Sequence, residues 1–179
     1  GNSITDAWIN VSPDFFQKYS TYLDRGISGQ TTPQMLVRFR QDVIDLHPKV
    51  VLILAGINDI AGNTGPSTLD LIENNLASMA QLAKANGIKV ILCSVLPAYA
   101  IPWRQGIEPV QKIIDLNKWI KEFAGKNNFI YLDYYSALVD ERKGLPEKYS
   151  KDGVHPTAAG YAVMEPMAVN AIARALKEK

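Results

Sequence analysis

The chain has 179 residues and a formal net charge of +1. This length suits one domain with a sizeable core, so we expect a single domain over residues 1–179. The near-neutral charge provides no global field that would attract nucleic acid or an anionic membrane. One cysteine and two histidines exclude an intramolecular disulfide and a Cys/His zinc cluster. Histidine-based chemistry therefore has two candidates, His47 and His155.

Three short apolar runs rich in β-branched residues predict strands buried on both faces, as in a parallel sheet covered by helices. Apolar residues at helical spacing predict amphipathic helices between and after these strands. The predicted strands cover residues 50–54, 90–95 and 129–132, and the predicted helices cover residues 33–46, 68–86, 107–124 and 158–176. None of the apolar runs is long enough to predict an integral membrane segment. The alternation indicates βαβ crossovers and a doubly wound, three-layer α/β/α fold.

Three long connections directly follow predicted strands, at residues 61–66, 97–106 and 133–157. Ligands of open α/β sheets bind outside the carboxyl ends of the strands. We therefore expect these connections to form the rim of a site.

His155 lies three residues after Asp152 in the segment Asp-Gly-Val-His-Pro. A carboxylate at this spacing can accept a hydrogen bond from Nδ1 of the imidazole, which leaves Nε2 free as a base. A capped helix start with no chemical role explains the spacing equally well, but the position on a loop favours function.

His47 stands at a predicted helix end that would face the amino ends of the strands. Helix capping is the better explanation for it.

A histidine base needs a nucleophile, and two serines stand in turns that contain glycine. Ser3 lies between small and polar residues, as in a tight turn, although an N-cap serine is an alternative interpretation. Ser28 is the weaker candidate, because the Gly-x-Ser-x-Gly spacing of a nucleophile elbow is absent.

Two further residues could stabilise a developing negative charge. Asn58 follows the first predicted strand, and an amide donor at such a position contributes about 3 kcal/mol to the transition state. The alternative is an Asn-Asp turn in which Asp59 caps the next segment. Gly29 lies in a second glycine-containing loop, where its N–H could approach a ligand with no side chain in the way.

Taken together and in this order, four blocks carry a more specific signal. The blocks are GNSIT at residues 1–5, RGISGQTT at 25–32, GIND at 56–59 and DGVHP at 152–156. They resemble the four blocks of the SGNH hydrolases, also called the GDSL esterase/lipase family. The resemblance covers nearly the whole chain.

The resemblance implies a serine esterase that works by two-step acyl transfer. It implies Ser3 as the nucleophile, His155 as the general base and acid, and Asp152 as the residue that orients the imidazole. The N–H groups of Ser3 and Gly29 and the amide of Asn58 would form the oxyanion hole. The implied reaction needs no metal or other cofactor.

Two features depart from the family pattern. Asn2 stands where the family usually has an aspartate, which is not a member of the triad. The family's first strand precedes the nucleophile and lies in the middle of a flavodoxin-like sheet, whereas this chain starts at the nucleophile turn without a Met. We therefore expect a strand upstream of residue 1, and a soluble protein that is secreted or periplasmic if a signal peptide lies upstream.

The predicted substrate is a small-molecule ester. Tyr99, Trp103 and Arg104 follow the second predicted strand, where aromatic rings can stack on sugars and Arg can hold a carboxylate or phosphate. Packing against the next helix is an equal alternative for these residues. We prefer a short acyl group, such as acetyl, on a carbohydrate over a lysophospholipid or other lipid ester.

Two other classes of function compete with an esterase. One is a non-catalytic ligand-binding module on a flavodoxin-like fold, in which Ser3 and Thr5 would hold a phosphate. It leaves Asn58 and the pair Asp152 and His155 unexplained. The other is an inactive homologue used for interaction, which the complete set of triad candidates disfavours.

Overall fold

The computed structural model describes residues 1–177. Within them, the strands are β1 (Val50–Ile53), β2 (Lys89–Cys93) and β3 (Ile130–Leu132). They pair in parallel in the order β1-β2-β3, with Val51 opposite Val90 and Ile91 opposite Ile130. The helices are α1 (Ser3–Asp6), α2 (Trp8–Val11), α3 (Pro13–Lys18), α4 (Thr32–Asp42), α5 (Ile57–Ile60), α6 (Leu69–Ala85), α7 (Val110–Asn127), α8 (Tyr134–Leu138) and α9 (Ala158–Lys177).

Helices cover both faces of the sheet. α4, α6 and α7 contribute to the core on one face, and α1, α2 and α9 contribute to the core on the other. β2 is apolar from Val90 to Cys93, because Val90 and Leu92 belong to the first core while Ile91 and Cys93 belong to the second. The parallel sheet and the three-layer α/β fold predicted from the sequence are confirmed.

The three predicted strands and the four predicted long helices are present, with shifted ends. The helix predicted over residues 33–46 stops at Asp42, and a separate 3₁₀ turn covers Ile44–Leu46. His47 ends that turn in the left-handed conformation, with φ of 50°, because the proline after it disfavours continuing a right-handed helix. The capping position predicted for His47 is confirmed.

The short helices α1, α2 and α3 were not predicted. They have four to six residues each, too few for an amphipathic period to show in the sequence. An aromatic stack holds α2 and α3 to α9, with the Trp8 ring centroid 5.2 Å from that of Tyr161 and 5.6 Å from that of Phe15. The strand expected upstream of residue 1 stays a prediction, as does the single domain.

Candidate active site

Ser3 begins α1, and the residue before it forms the cap of that helix. Asn2 is buried, and its side-chain oxygen accepts a hydrogen bond from the N–H of Ile4 at 3.0 Å. The N-cap is therefore Asn2, which corrects the alternative interpretation of Ser3 as an N-cap serine. The Tyr161 hydroxyl donates to the Ile4 carbonyl oxygen at 2.7 Å and so fixes α1 against α9. The Ser3 hydroxyl is left free for another partner.

That partner is His155, which lies 152 residues later in the chain. The Ser3 hydroxyl oxygen is 2.9 Å from Nε2 of His155, and Nδ1 of the same ring is 2.6 Å from Oδ2 of Asp152. An ionised carboxylate only accepts hydrogen bonds, so we assign the ring proton to Nδ1 and the lone pair to Nε2. The structure thus brings Ser3, His155 and Asp152 together in one hydrogen-bonded row.

The loop that carries Asp152 is built around the buried Ser150. The Ser150 hydroxyl donates to Oδ1 of Asp152 at 3.1 Å and accepts from the N–H of Gly153 at 2.9 Å. The same Oδ1 accepts from the N–H groups of Val154 and His155 at 2.9 and 2.8 Å. Sequence analysis missed Ser150, because a serine two residues before an aspartate is too common a signal to single out.

These hydrogen bonds control the ionisation of Asp152. Partial burial by itself would raise its pKa, but hydrogen bonds from the backbone and ring of His155 and from the N–H of Val154 outweigh burial and lower the pKa to about 2. Asp152 is therefore an anion at neutral pH, where it can stabilise a positive imidazole ring.

The loop that contains Gly29 packs directly on α1. A Cβ at Gly26 would lie 2.1 Å from the backbone nitrogen of Asp6, so only glycine allows this approach. Gly29 itself has φ of 78°, in the left-handed region that favours glycine. No hydrogen bond within residues 1–177 uses the N–H of Gly29 or of Ser3. Both groups are available as donors, and their role in an oxyanion hole stays a prediction.

Ser28, the weaker nucleophile candidate, is placed next to a carboxylate. Its hydroxyl donates to Oδ2 of Asp6, and its backbone N–H donates to the same oxygen at 3.1 Å. Ser28 therefore has a carboxylate as its partner, whereas Ser3 has an imidazole.

Asn58 is buried in α5, just beyond the carboxyl end of β1. Its Nδ2 donates to the carbonyl oxygen of Gln30 at 2.9 Å, which connects it to the Gly29 loop. An amide nitrogen carries two hydrogens, so the second remains for a ligand oxygen. Its predicted role as an oxyanion donor stays a prediction.

Replacing Asn58 with Ala is expected to lower kcat by about 10²- to 10³-fold, because this is the usual effect of removing one oxyanion donor. Initial rates at saturating ester give kcat. Asn58→Asp is a second variant of the same side-chain size. It replaces the donor with a carboxylate that would repel the oxyanion, so a loss at least as large is expected. An Asn58→Ala variant with wild-type kcat would contradict the role.

Asp59 caps helix α4 and not the segment that follows it, which corrects the alternative interpretation of the Asn-Asp turn. Both carboxylate oxygens lie 3.0 Å from the N–H of Thr32, and Oδ1 accepts from the Thr32 hydroxyl at 2.6 Å. Asn75 of α6 donates to that hydroxyl at 3.1 Å. Burial raises the pKa of Asp59, and the hydrogen bonds from Thr32 offset part of that effect. This network joins α4, α5 and α6 behind the site.

Asp59→Ala is expected to lower the free energy of unfolding by about 2 to 4 kcal/mol, because the buried N–H of Thr32 loses its acceptor. Urea denaturation followed by circular dichroism measures the change. Asp59→Asn keeps one acceptor oxygen and should lose less. If Asp59→Ala and the wild type had the same free energy of unfolding, the hydrogen bonds of Asp59 would contribute nothing to stability.

Trp103 and Arg104 line an open cleft beside the site. The centroid of the Trp103 ring lies 5.7 Å from that of His155. The cleft has a volume of about 490 Å³, and its other walls are residues 28–30, 63–64 and Gln34. The Arg104 guanidinium donates to the Gly62 carbonyl oxygen at 3.0 Å.

Tyr99 is more than half exposed and lies against a different part of the surface. The Arg142 guanidinium is 5.7 Å from the centre of the Tyr99 ring, and the Cβ of Tyr99 packs on Gly144. The structure does not bring Tyr99 to the cleft that Trp103 and Arg104 line. Substrate contacts of all three residues stay a prediction.

The row of serine, histidine and aspartate on an α/β sheet is the arrangement used by serine hydrolases, which recurs on unrelated folds. The chain belongs to the GDSL-like lipase/acylhydrolase family, whose sequence profile matches residues 1–163. This confirms the resemblance predicted from the four blocks, and it places the chain among hydrolases that act on esters. The structure is similar to that of a GDSL-like lipase from Bacteroides thetaiotaomicron VPI-5482, with a TM-score of 0.95, 52% sequence identity, and coverage of 98% of this chain and 86% of that one.

Two curated relatives are more distant. An acetylxylan esterase from Geobacillus stearothermophilus is 28% identical over 151 residues, with coverage of 79% of this chain and 67% of the relative. The uncharacterized lipoprotein YqeF of Bacillus subtilis strain 168 is 29% identical over 145 residues, with coverage of 79% of this chain and 51% of the relative. The match thus spans about half to two thirds of these relatives' length.

The helices of residues 1–177 include none that is long and apolar enough to cross a membrane. In the same part of the chain, no cluster of three or more His, Cys, Asp or Glu residues could hold a metal ion.

Proposed function

We propose that the protein hydrolyses carboxylic esters by two-step acyl transfer through Ser3. The observation that carries the proposal is the row of two hydrogen bonds, from Ser3 to Nε2 of His155 and from Nδ1 of His155 to Asp152. It contains a nucleophile, a base and an anion that orients the base. Family membership supports the same reaction class.

In the first step, the Ser3 oxygen attacks the ester carbonyl while Nε2 of His155 takes the hydroxyl proton. The ring then carries two protons and a positive charge, which the Asp152 carboxylate stabilises. The negative oxygen of the tetrahedral intermediate would accept from the N–H groups of Ser3 and Gly29 and from Nδ2 of Asn58.

Collapse of the intermediate breaks the bond to the alcohol, and His155 gives its proton to the departing oxygen. Water then enters, loses a proton to Nε2 and attacks the acyl-serine carbonyl. The second collapse releases the acid and returns the proton to the Ser3 oxygen. Every proton in this cycle passes through Nε2, and the residues involved supply all the groups the cycle needs.

We further propose that the natural substrate is a short acyl ester, such as an acetate, of a carbohydrate. The cleft beside His155 is walled by amide, hydroxyl, guanidinium and indole groups, which suit the hydroxyls and flat faces of a sugar. The departing alcohol takes its proton from Nε2 and so leaves next to Trp103. Similarity to an acetylxylan esterase supports this choice.

The test compares p-nitrophenyl acetate with p-nitrophenyl octanoate, and an acetylated xylo-oligosaccharide with lysophosphatidylcholine. We expect a higher kcat/KM for p-nitrophenyl acetate than for the octanoate. We also expect a higher kcat/KM for the acetylated xylo-oligosaccharide than for lysophosphatidylcholine. A higher kcat/KM for the octanoate and the lysolipid would contradict a sugar ester and indicate a lipid ester as the natural substrate. No turnover of any ester would favour the non-catalytic binding module.

A location outside the cytoplasm is also a proposal, supported by similarity to a protein named as a lipoprotein. Fractionation of cells that produce the protein from its natural gene, followed by immunoblotting, tests it. Recovery in the cytoplasmic fraction would overturn it.

A further inference from the structure

One side chain, that of Asn63, joins the Gly29 loop to Trp103. Its Nδ2 donates to the Gly29 carbonyl oxygen at 3.2 Å, and its Oδ1 accepts from Nε1 of Trp103 at 3.0 Å. A primary amide is a rigid planar group in which the donor and acceptor have a fixed separation. Asn63 therefore fixes the spacing between the two walls of the cleft.

The turn that presents Asn63 is itself held in place. The N–H of Asn63 donates to the Asn58 carbonyl oxygen at 3.0 Å, and Arg104 donates to the carbonyl oxygen of Gly62. A second link joins the Thr31 and Thr64 hydroxyls at 3.1 Å. The backbone of Asn63 is thus fixed by hydrogen bonds, so its side chain can hold Gly29 and Trp103 in place.

Gly29 needs such support more than its neighbours do. Glycine is the most conformationally free residue, and a Cβ built at Gly29 would meet no atom within 4 Å. Packing therefore does not restrain this position. The amides of Asn58 and Asn63 hold two consecutive carbonyls, those of Gln30 and Gly29, and these hydrogen bonds restrain the loop in place of packing.

We propose that Asn63 is a positioning residue, which aims the N–H of Gly29 at the oxyanion and holds the Trp103 ring beside His155 through one amide. The proposal rests on the proposed ester hydrolysis. An oxyanion donor acts in the transition state, so misplacing the Gly29 N–H lowers kcat and leaves KM nearly unchanged. A residue with only a structural role would lower stability without this separation of the two constants.

The experiment measures Asn63→Ala in the wild-type and in the Trp103→Phe background. Trp103→Phe keeps a ring beside His155 but has no indole N–H, so a further loss on Asn63→Ala reports the contact with Gly29 alone. We expect kcat to fall about tenfold in both backgrounds, with KM changed less than about twofold. A boronic acid forms a serine adduct that places an oxygen in the oxyanion hole. It should bind Asn63→Ala about tenfold more weakly than it binds the wild type.

Asn127→Ala is the matched control, because it also removes an amide that donates to a backbone carbonyl, that of Phe123, at the far end of α7. It should lower the unfolding temperature and leave kcat unchanged. Wild-type kcat for Asn63→Ala in either background would overturn the inference, as would a loss confined to stability. Absence of turnover by the wild type would overturn the proposed function and the inference with it, whereas an active wild type with an unaffected variant overturns the inference alone.

Discussion

Replacing Ser3 with Ala is expected to lower kcat for every ester by about 10⁴-fold or more, since acyl transfer loses its nucleophile. The fold should remain, because Asn2 supplies the N-cap of α1 and alanine suits the first turn of a helix. Initial rates of p-nitrophenol release measure the loss, and circular dichroism checks the fold. Ser78→Ala, which removes an exposed hydroxyl in α6, is the control with expected wild-type kcat.

Covalent labelling separates Ser3 from Ser28 directly. A fluorophosphonate reacts with a serine activated by a base, and trypsin places the two serines on different peptides: Ser3 on the peptide that ends at Lys18, and Ser28 on the peptide of residues 26–38. We expect the adduct on the first peptide in the wild type and no adduct in Ser3→Ala. An adduct on the second peptide would transfer the nucleophile role to Ser28.

The histidine should behave as part of the same unit. His155→Ala is expected to cost about as much as Ser3→Ala, and the double variant about as much as either alone, because residues of a triad are not additive. If the two losses multiplied in the double variant, Ser3 and His155 would act independently and the hydrogen bond between them would have no catalytic meaning.

The fold was predictable because burial of the strands shows directly in the sequence. A strand such as β2 has neighbours on both faces, so each of its core residues must be apolar whichever way it points. The long helices were predictable for the related reason that each has one apolar side. α1, α2 and α3 carry no such pattern. Their packing depends on Tyr161, far along the chain, whose hydroxyl donates to α1 and whose ring stacks on Trp8 of α2.

The site was predictable only where its residues lie within short blocks. Asp152 and His155 are three residues apart, so their pairing is a local property of the sequence. The partners of Asp59 and Asn63 lie 27 to 40 residues away, and neither chemistry nor spacing indicates them before the chain is folded. Sequence analysis therefore found the groups predicted to react and missed the groups that hold them.

Asp152→Asn is expected to lower kcat by about 10³- to 10⁴-fold while leaving the loop in place. The asparagine oxygen can still accept from the N–H groups of Val154 and His155. Its NH₂ group, however, would donate to Nδ1, which moves the ring proton to Nε2 and removes the base from Ser3. Initial rates measure the loss, and a kcat within about tenfold of the wild type would contradict this role of Asp152.

The pH dependence of Asp152→Asn tests the same carboxylate by a different route. The pKa of Asp152 is lowered to about 2 in the folded protein, from an ordinary value of 3.8. Because the folded pKa is the lower one, the ionised group stabilises the fold at pH values above 3.8, and this contribution disappears as the pH falls through about 2. The difference in unfolding free energy between wild type and Asp152→Asn should therefore shrink as the pH falls from about 4 towards 2. Urea denaturation over this range measures the difference, and a difference that stays constant from about pH 4 to about pH 2 would contradict the lowered pKa of Asp152.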